Sequence, residues 1–314
     1  MGWLRRRIFG IAPEETSVAR RGFRVCEEYV ARRLERVGRS FLEGYHAALE
    51  QDEPGPLAER LDQLDREDRG FAYEGAAMAI FLLDRLSPWR RERFGAFVAG
   101  PGAAHVYMMH VGAGWAVARL RCSIRRTLAR FDPLSRWLVM DGYGFHHGYF
   151  QPRICIDGRL TPKHLSGYAR RAFDQGLGRS LWFVEGTDGD RIASSIERFP
   201  EARRGDLWSG VGLACAYAGG STGGAMARLR STAGANRPGL AQGAAFAAKA
   251  RERAGNPAPH TDLACRILCD MSAGDAARLT DEALADLPGD GAIPSFEVWR
   301  GRIRACWGEE VVTA

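Results

Sequence analysis

The chain has 314 residues, 46% apolar, 26% charged and 10% aromatic, which excludes a disordered or low-complexity protein. Its length leaves one large or two moderate domains with ample surface to bury a core. The net charge is +6, and residues 1–39 hold ten arginines against five glutamates, so the remainder is nearly neutral.

Only Lys163 and Lys249 among the 44 basic residues are lysine. With 38 glycines and abundant alanine, that skew reads as GC-rich coding rather than phosphate recognition, and no nucleic-acid partner is expected. The basic start reads either as a solvated helical face or as a docking surface for an acidic partner or anionic lipid, a peripheral contact. Met1 to Ile11 lacks the apolar run of a signal peptide, and seven scattered cysteines suit reduced thiols, so a cytoplasmic location is expected.

Helical periodicity dominates. From an N-cap at Thr16 or Ser17, apolar positions recur at Val30, Leu34, Val37, Phe41, Tyr45 and Leu49, and Gln51 to Pro56 stops the helix. Leu57, Leu61 and Leu64 predict a short second helix, and Gly70 to Leu86 a third, ended by Ser87-Pro88. Phe94 to Ala118 is uncharged and long enough to span a bilayer, but Gly100-Pro101-Gly102 divides it, predicting two buried helices and no integral membrane segment. Leu207 to Ala227, interrupted by Gly219-Gly220 and Gly223-Gly224, reads likewise. Arg153 to Leu160 predicts at most one small β-hairpin around Asp157-Gly158, and Leu240 to Arg253 and Thr261 to Met271 predict further helices.

The expected fold is therefore mainly α, with stacked helix-hairpin units. The echoes Glu43-Gly44, Glu74-Gly75, Gln175-Gly176 and Gln242-Gly243, with Gly112-Ala113-Gly114 and Gly210-Val211-Gly212, suggest repeats of roughly 100 residues. A boundary near Gln151 to His164 would separate an N-terminal half, 1–150, from a C-terminal half, 165–314, unless the two form one continuous domain.

Chemistry could sit in two histidine segments. One contains His105 and His110; the other, Asp141 to Phe150, packs His146, His147, Tyr143, Tyr149 and Asp141 into a glycine-rich stretch that reads as a loop or broken helix. Imidazoles bind metals and move protons near neutrality, so His105, His110, His146 and His147, with Asp141, Tyr143 and Glu74, are candidates for acid/base chemistry or a transition-metal site. Five-residue spacing and adjacent histidines point apart on regular helices, and core histidines bonded to backbone explain the same residues. Cys265, Cys269 and His260 share the choice between a soft-metal site and buried structure, with Thr261 or Asp262 as an N-cap. Dinucleotide, phosphate-loop and nucleophile-elbow signatures are missing, so no nucleotide cofactor is expected. Tyr107, Met109, Trp115, Phe145, Tyr149, Trp182 and Trp208 could wall a channel between helices with small facing residues, or simply fill the core.

Gly70-Phe71-Ala72-Tyr73-Glu74-Gly75, His105-Val106-Tyr107 with His110-Val111-Gly112-Ala113-Gly114-Trp115-Ala116, Asp141-Gly142-Tyr143-Gly144-Phe145-His146, Arg171 to Phe183 and Asp206 to Ala214 carry a resemblance. The chain, from about Leu4 to Trp307, resembles a bacterial family of unknown function encoded beside enediyne polyketide synthases. The resemblance implies an accessory protein of enediyne biosynthesis handling a long conjugated polyene from the iterative synthase. Its partners would be the polyene and the synthase carrier domain or other pathway proteins. It supplies no catalytic residues, and leaves open both an enzyme of oxidation, desaturation or rearrangement and a non-catalytic binder or scaffold.

Overall fold

The computed structural model describes residues 2–87, 92–120 and 122–308; Pro88, expected to end the third helix, lies outside them. The described residues are mostly helix joined by turns and loops, with no strand among them. Seven long helices set the architecture: α1 (Glu28–Glu50), α2 (Arg69–Leu86), α3 (Val106–Leu120), α4 (Arg136–Phe150), α5 (Tyr168–Val184), α6 (Glu201–Ala218) and α7 (Arg237–Arg253). Each packs on the next in the chain, and shorter helices such as Pro54–Asp62, Arg93–Ala99, Gly189–Glu197 and Gly223–Ala233 fill the connections. Three C-terminal helices, α8 (Pro259–Leu268), α9 (Ala273–Glu282) and α10 (Ser295–Ala305), cover α7.

Glycine explains the order. α3, α4, α5 and α6 each carry a Gly-x-Gly pair: Gly112/Gly114, Gly142/Gly144, Gly176/Gly178 and Gly210/Gly212. Two residues of helix turn through about 200°, so the two glycines face opposite neighbours. Gly176 meets the Asp141 carbonyl of the preceding helix, where a Cβ would lie 1.8 Å away, and Gly178 meets the Leu207 carbonyl of the following one, at 2.0 Å. Gly in a helix interior costs about 1 kcal/mol relative to Ala. Close packing of two backbones, with Cα–H groups against carbonyls, offsets that cost.

These crossings correct the expected repeat length. The first glycines, Gly75, Gly112, Gly142, Gly176, Gly210 and Gly243, are separated by 30 to 37 residues. One long helix and its connection make the unit, and the expected 100-residue period is three such units. Packing runs unbroken through α4 and α5, where Gly144 and Gly176 meet the backbone across the Gln151 to His164 connection.

The series curls until its ends meet. Arg33 of α1 donates to the Ala218 carbonyl at the end of α6 (2.7 Å), and Arg251 of α7 donates to the Glu67 carbonyl beside the start of α2 (3.1 Å). Phe71 of α2 lies edge-on to Tyr217 of α6, with centroids 5.1 Å apart. α1 to α6 thus enclose an interior space.

Other expectations fare unevenly. Both uncharged stretches divide into helices at their glycine breaks, but only one helix of each is buried, Val106–Leu120 and Glu201–Ala218; Arg93–Ala99 and Gly223–Ala233 bury a few side chains each, and no helix among the described residues is long and apolar enough to cross a membrane. Asp141 to Phe150 is continuous helix rather than a loop, because its glycines serve the crossings of α4. Arg153–Asp157 is a wide helical turn and not a hairpin: Gly158 keeps a negative φ, its N–H bonds the Arg153 carbonyl, and the consecutive residues Cys155 and Ile156 are both buried. Ser17 caps only Val18–Arg21, and α1 starts at Glu28 after Gly22 takes φ +68°. α8 starts at Pro259, so Thr261 and Asp262 lie inside it; Thr261 donates to the Ala216 carbonyl and Asp262 accepts from the Ala273 N–H.

Candidate functional site

The residue before each first glycine turns inward; five of the six are polar, and four of those join one buried seam. Asp141 precedes Gly142, Gln175 precedes Gly176, Ser209 precedes Gly210 and Gln242 precedes Gly243. Gln175 Nε2 donates to Asp141 Oδ2 (2.7 Å), Ser209 Oγ donates to Gln242 Oε1 (2.9 Å), and Gln242 Oε1 also accepts from Arg300 Nε (3.0 Å). Arg300, 1% exposed, ends the seam against Asp206 (2.8 Å) and Glu297 (3.2 Å). Buried polar groups are tolerated only with such partners.

Arg179 sits at the opposite end. Its guanidinium pairs with the Asp141 carboxylate, stands 4.0 Å from Glu74 Oε1 and lies 4.9 Å from the Phe145 ring centroid. Burial opposes its charge, but Asp141 and Glu74 hold its pKa above the ordinary arginine value. Glu74, 3% exposed, accepts from the Trp115 indole N–H (3.1 Å). Burial raises its carboxyl pKa to about 7; the nearby Arg179 limits that rise, Asp141 adds to it, and the Trp115 bond opposes it. A buried carboxyl whose pKa is raised to near neutrality beside an apolar cavity can hold or release a proton there.

The cavity is narrow and overwhelmingly apolar. About 690 Å³ between the helices, part of it open to solvent, is unfilled by protein atoms. Phe41, Phe71, Trp115, Phe145, Tyr149 and Phe183 wall it, and Glu74 and Arg179 supply its interior polar groups. Trp115 organises the wall, with ring centroids 4.6 Å from Phe41 and 5.1 Å from Phe145. Ile11, Glu15, Thr16 and Phe150 also line it.

Of the residues singled out in the sequence, Glu74, Asp141, Trp115, Phe145 and Tyr149 thus converge. The four histidines do not. His105 stacks on Tyr73 (centroids 4.0 Å apart), and burial lowers its pKa to about 4. His110 bonds the Val106 carbonyl through Nδ1 (2.7 Å) among Phe94 and Phe131. His146 lies edge-on to Trp115, its pKa lowered by burial to about 3, while His147 bonds the Tyr143 carbonyl through Nδ1 (2.9 Å). Among the described residues no three His, Cys, Asp or Glu side chains are grouped so as to hold a metal ion. The structure does not bring the four histidines together: regular helix points their rings to different neighbours.

Tyr143 faces His147 and His164, away from the cavity wall. Met109 packs beneath Gly102, Trp182 donates to the Gly219 carbonyl (2.9 Å), and Trp208 is buried core. Tyr107 lines a different space, described below. Cys265 and Cys269 are buried thiols donating to the Ala244 and Ala241 carbonyls, and His260 bonds the Tyr217 carbonyl (3.1 Å). The N-terminal arginines are mostly engaged internally, Arg5 with Asp52 (3.0 Å), Arg24 with Glu185 (3.1 Å) and Arg33 with Asp68 (2.8 Å).

Arg179, Phe41 and Phe71 belong to the site without having been singled out. Arg179 had a signal: it is the one charged residue between Gln175 and Val184, a stretch otherwise fit for the core.

No curated protein and no solved structure matches the chain. A family described as "Protein of unknown function (DUF1702)" matches residues 1–307. The match spans every helix and every glycine crossing described above, and the chain belongs to the DUF1702 family.

Proposed function

We propose that this protein is an accessory component of enediyne biosynthesis that binds a long conjugated polyene in its central cavity and transfers protons to or from it through Glu74. The observation that carries the reading is the aromatic-walled cavity with a buried carboxyl of pKa about 7 set beside it. A flat apolar chain suits such walls, and a carboxyl poised near neutrality can both give and take a proton. The pathway rests on the five resembling motifs, and a carrier domain of the iterative synthase is the partner that would deliver the chain.

A second reading keeps the binding and drops the chemistry. The dispersed histidines, His110 and His147 bonded to backbone carbonyls and His105 stacked on Tyr73, favour a carrier that shelters a reactive polyene unchanged.

Titration with a soluble linear polyene, read by tryptophan fluorescence, separates these readings from failure. Saturable quenching that Trp115→Phe removes is expected, and no saturable change overturns the binding site. Glu74→Gln that binds normally but no longer exchanges polyene protons with deuterated solvent supports the enzyme; equal exchange in both proteins supports the carrier.

A further inference from the structure

A second apolar space lies against the first. Tyr107, Met108, Val111, Leu138, Phe246 and Trp299 are among its walls, and about 490 Å³ there, part of it open to solvent, is unfilled. Arg179, Leu213 and Tyr217 line both spaces, so these three side chains form a shared partition. The lining advances along single helices. On α4 it runs from Leu138 and Asp141 in the second chamber to Phe145, Tyr149 and Phe150 in the first; on α3 it runs from Tyr107 to Trp115. At 1.5 Å per residue, Leu138 to Phe150 covers about 18 Å.

We infer that the two chambers are halves of one channel, which takes a single linear apolar chain threaded past the Arg179–Leu213–Tyr217 partition. The inference rests on the polyene reading above and adds the ligand's shape and the placement of its reactive carbons. Stacked chambers with shared walls favour one extended molecule over two compact ones. Arg179 and Asp141 are already paired, and Gln175 is bonded to Asp141, so the waist offers an uncharged chain a neutral passage. Glu74 then faces the middle of the chain rather than its end, because the first chamber continues beyond it to Phe150 and the second extends to Leu138.

The probes are parinaric acid, a long linear tetraene whose fluorescence rises on leaving water, and octatrienoic acid, a shorter triene that fits one chamber. Ala250→Phe and, separately, Ala247→Leu narrow the second chamber from α7. In whichever variant keeps the helical circular dichroism of the unaltered protein, parinaric acid should bind at least tenfold more weakly while octatrienoic acid binds unchanged. If neither narrowing folds, Tyr107→Ala, which enlarges the chamber, should strengthen parinaric acid alone. Unchanged parinaric binding, or equal change for both probes, overturns the continuous channel while leaving the polyene site standing. Failure of both probes to bind the unaltered protein overturns the polyene reading and this inference together.

Discussion

Trp115 donates its indole N–H to Glu74 Oε1 over 3.1 Å, joining the aromatic wall of the cavity to the carboxyl beside it. The bond stabilises the ionised carboxylate, whereas burial stabilises the neutral acid, and burial prevails. Glu74 can therefore change charge near neutral pH without leaving an apolar surrounding.

That balance sets a pH dependence of stability. The folded-state pKa of about 7 lies above the ordinary glutamate value of 4.5, so the folded protein keeps a proton that the unfolded chain has lost. The contribution of Glu74 should be present below pH 4.5, fall as pH rises to about 7 and stay level above. The total is roughly 3 kcal/mol. Urea denaturation across this range should give Glu74→Gln a flatter profile than the unaltered protein; parallel profiles would contradict the raised pKa.

Arg179 and Asp141 form an ion pair shielded from water, 5% and 1% exposed. Removing one partner strands a charge, and Asp141→Asn should cost about 3–5 kcal/mol in denaturant titrations. Arg179→Met with Asp141→Leu should recover part of that loss, because two apolar groups need no counter-charge. A double variant no more stable than the single one would show that the pair is not coupled.

Gly176→Ala tests the helix crossings. The added Cβ would lie 1.8 Å from the Asp141 carbonyl, whereas one added at Gly55 meets nothing within 4 Å. Thermal melts should show a loss of about 3 kcal/mol for Gly176→Ala and none for Gly55→Ala. Equal melting temperatures would mean that α4 and α5 can separate without cost.

Helix existence was legible because apolar periodicity and glycine breaks act within a few residues, as Phe94 to Ala118 illustrates. The loop expected at Asp141 to Phe150 went astray because local propensity penalises glycine, while the crossings that reward Gly142 and Gly144 involve helices about 30 residues away. The site was half visible. Glu74 and Asp141 stand out beside their glycines, but the lone charge of Arg179 in a core-like stretch does not name its partners, which come from helices about 40 and 100 residues away. Histidine drew attention by its chemistry, yet His105 and His110 fill aromatic niches that no spacing rule reveals.

The closing of the helix series, α1 onto the end of α6 and α7 onto the residues before α2, has a consequence for how this molecule can vary. An open array lengthens by adding units at either end, whereas a closed one must fit every unit to a fixed circumference. Widening a groove in the wall changes the bore by the volume of one side chain; inserting another helix with its pair of glycines changes its gauge. The Arg33 bond to Ala218 and the Arg251 bond to Glu67 mark the seam at which such a change would be made.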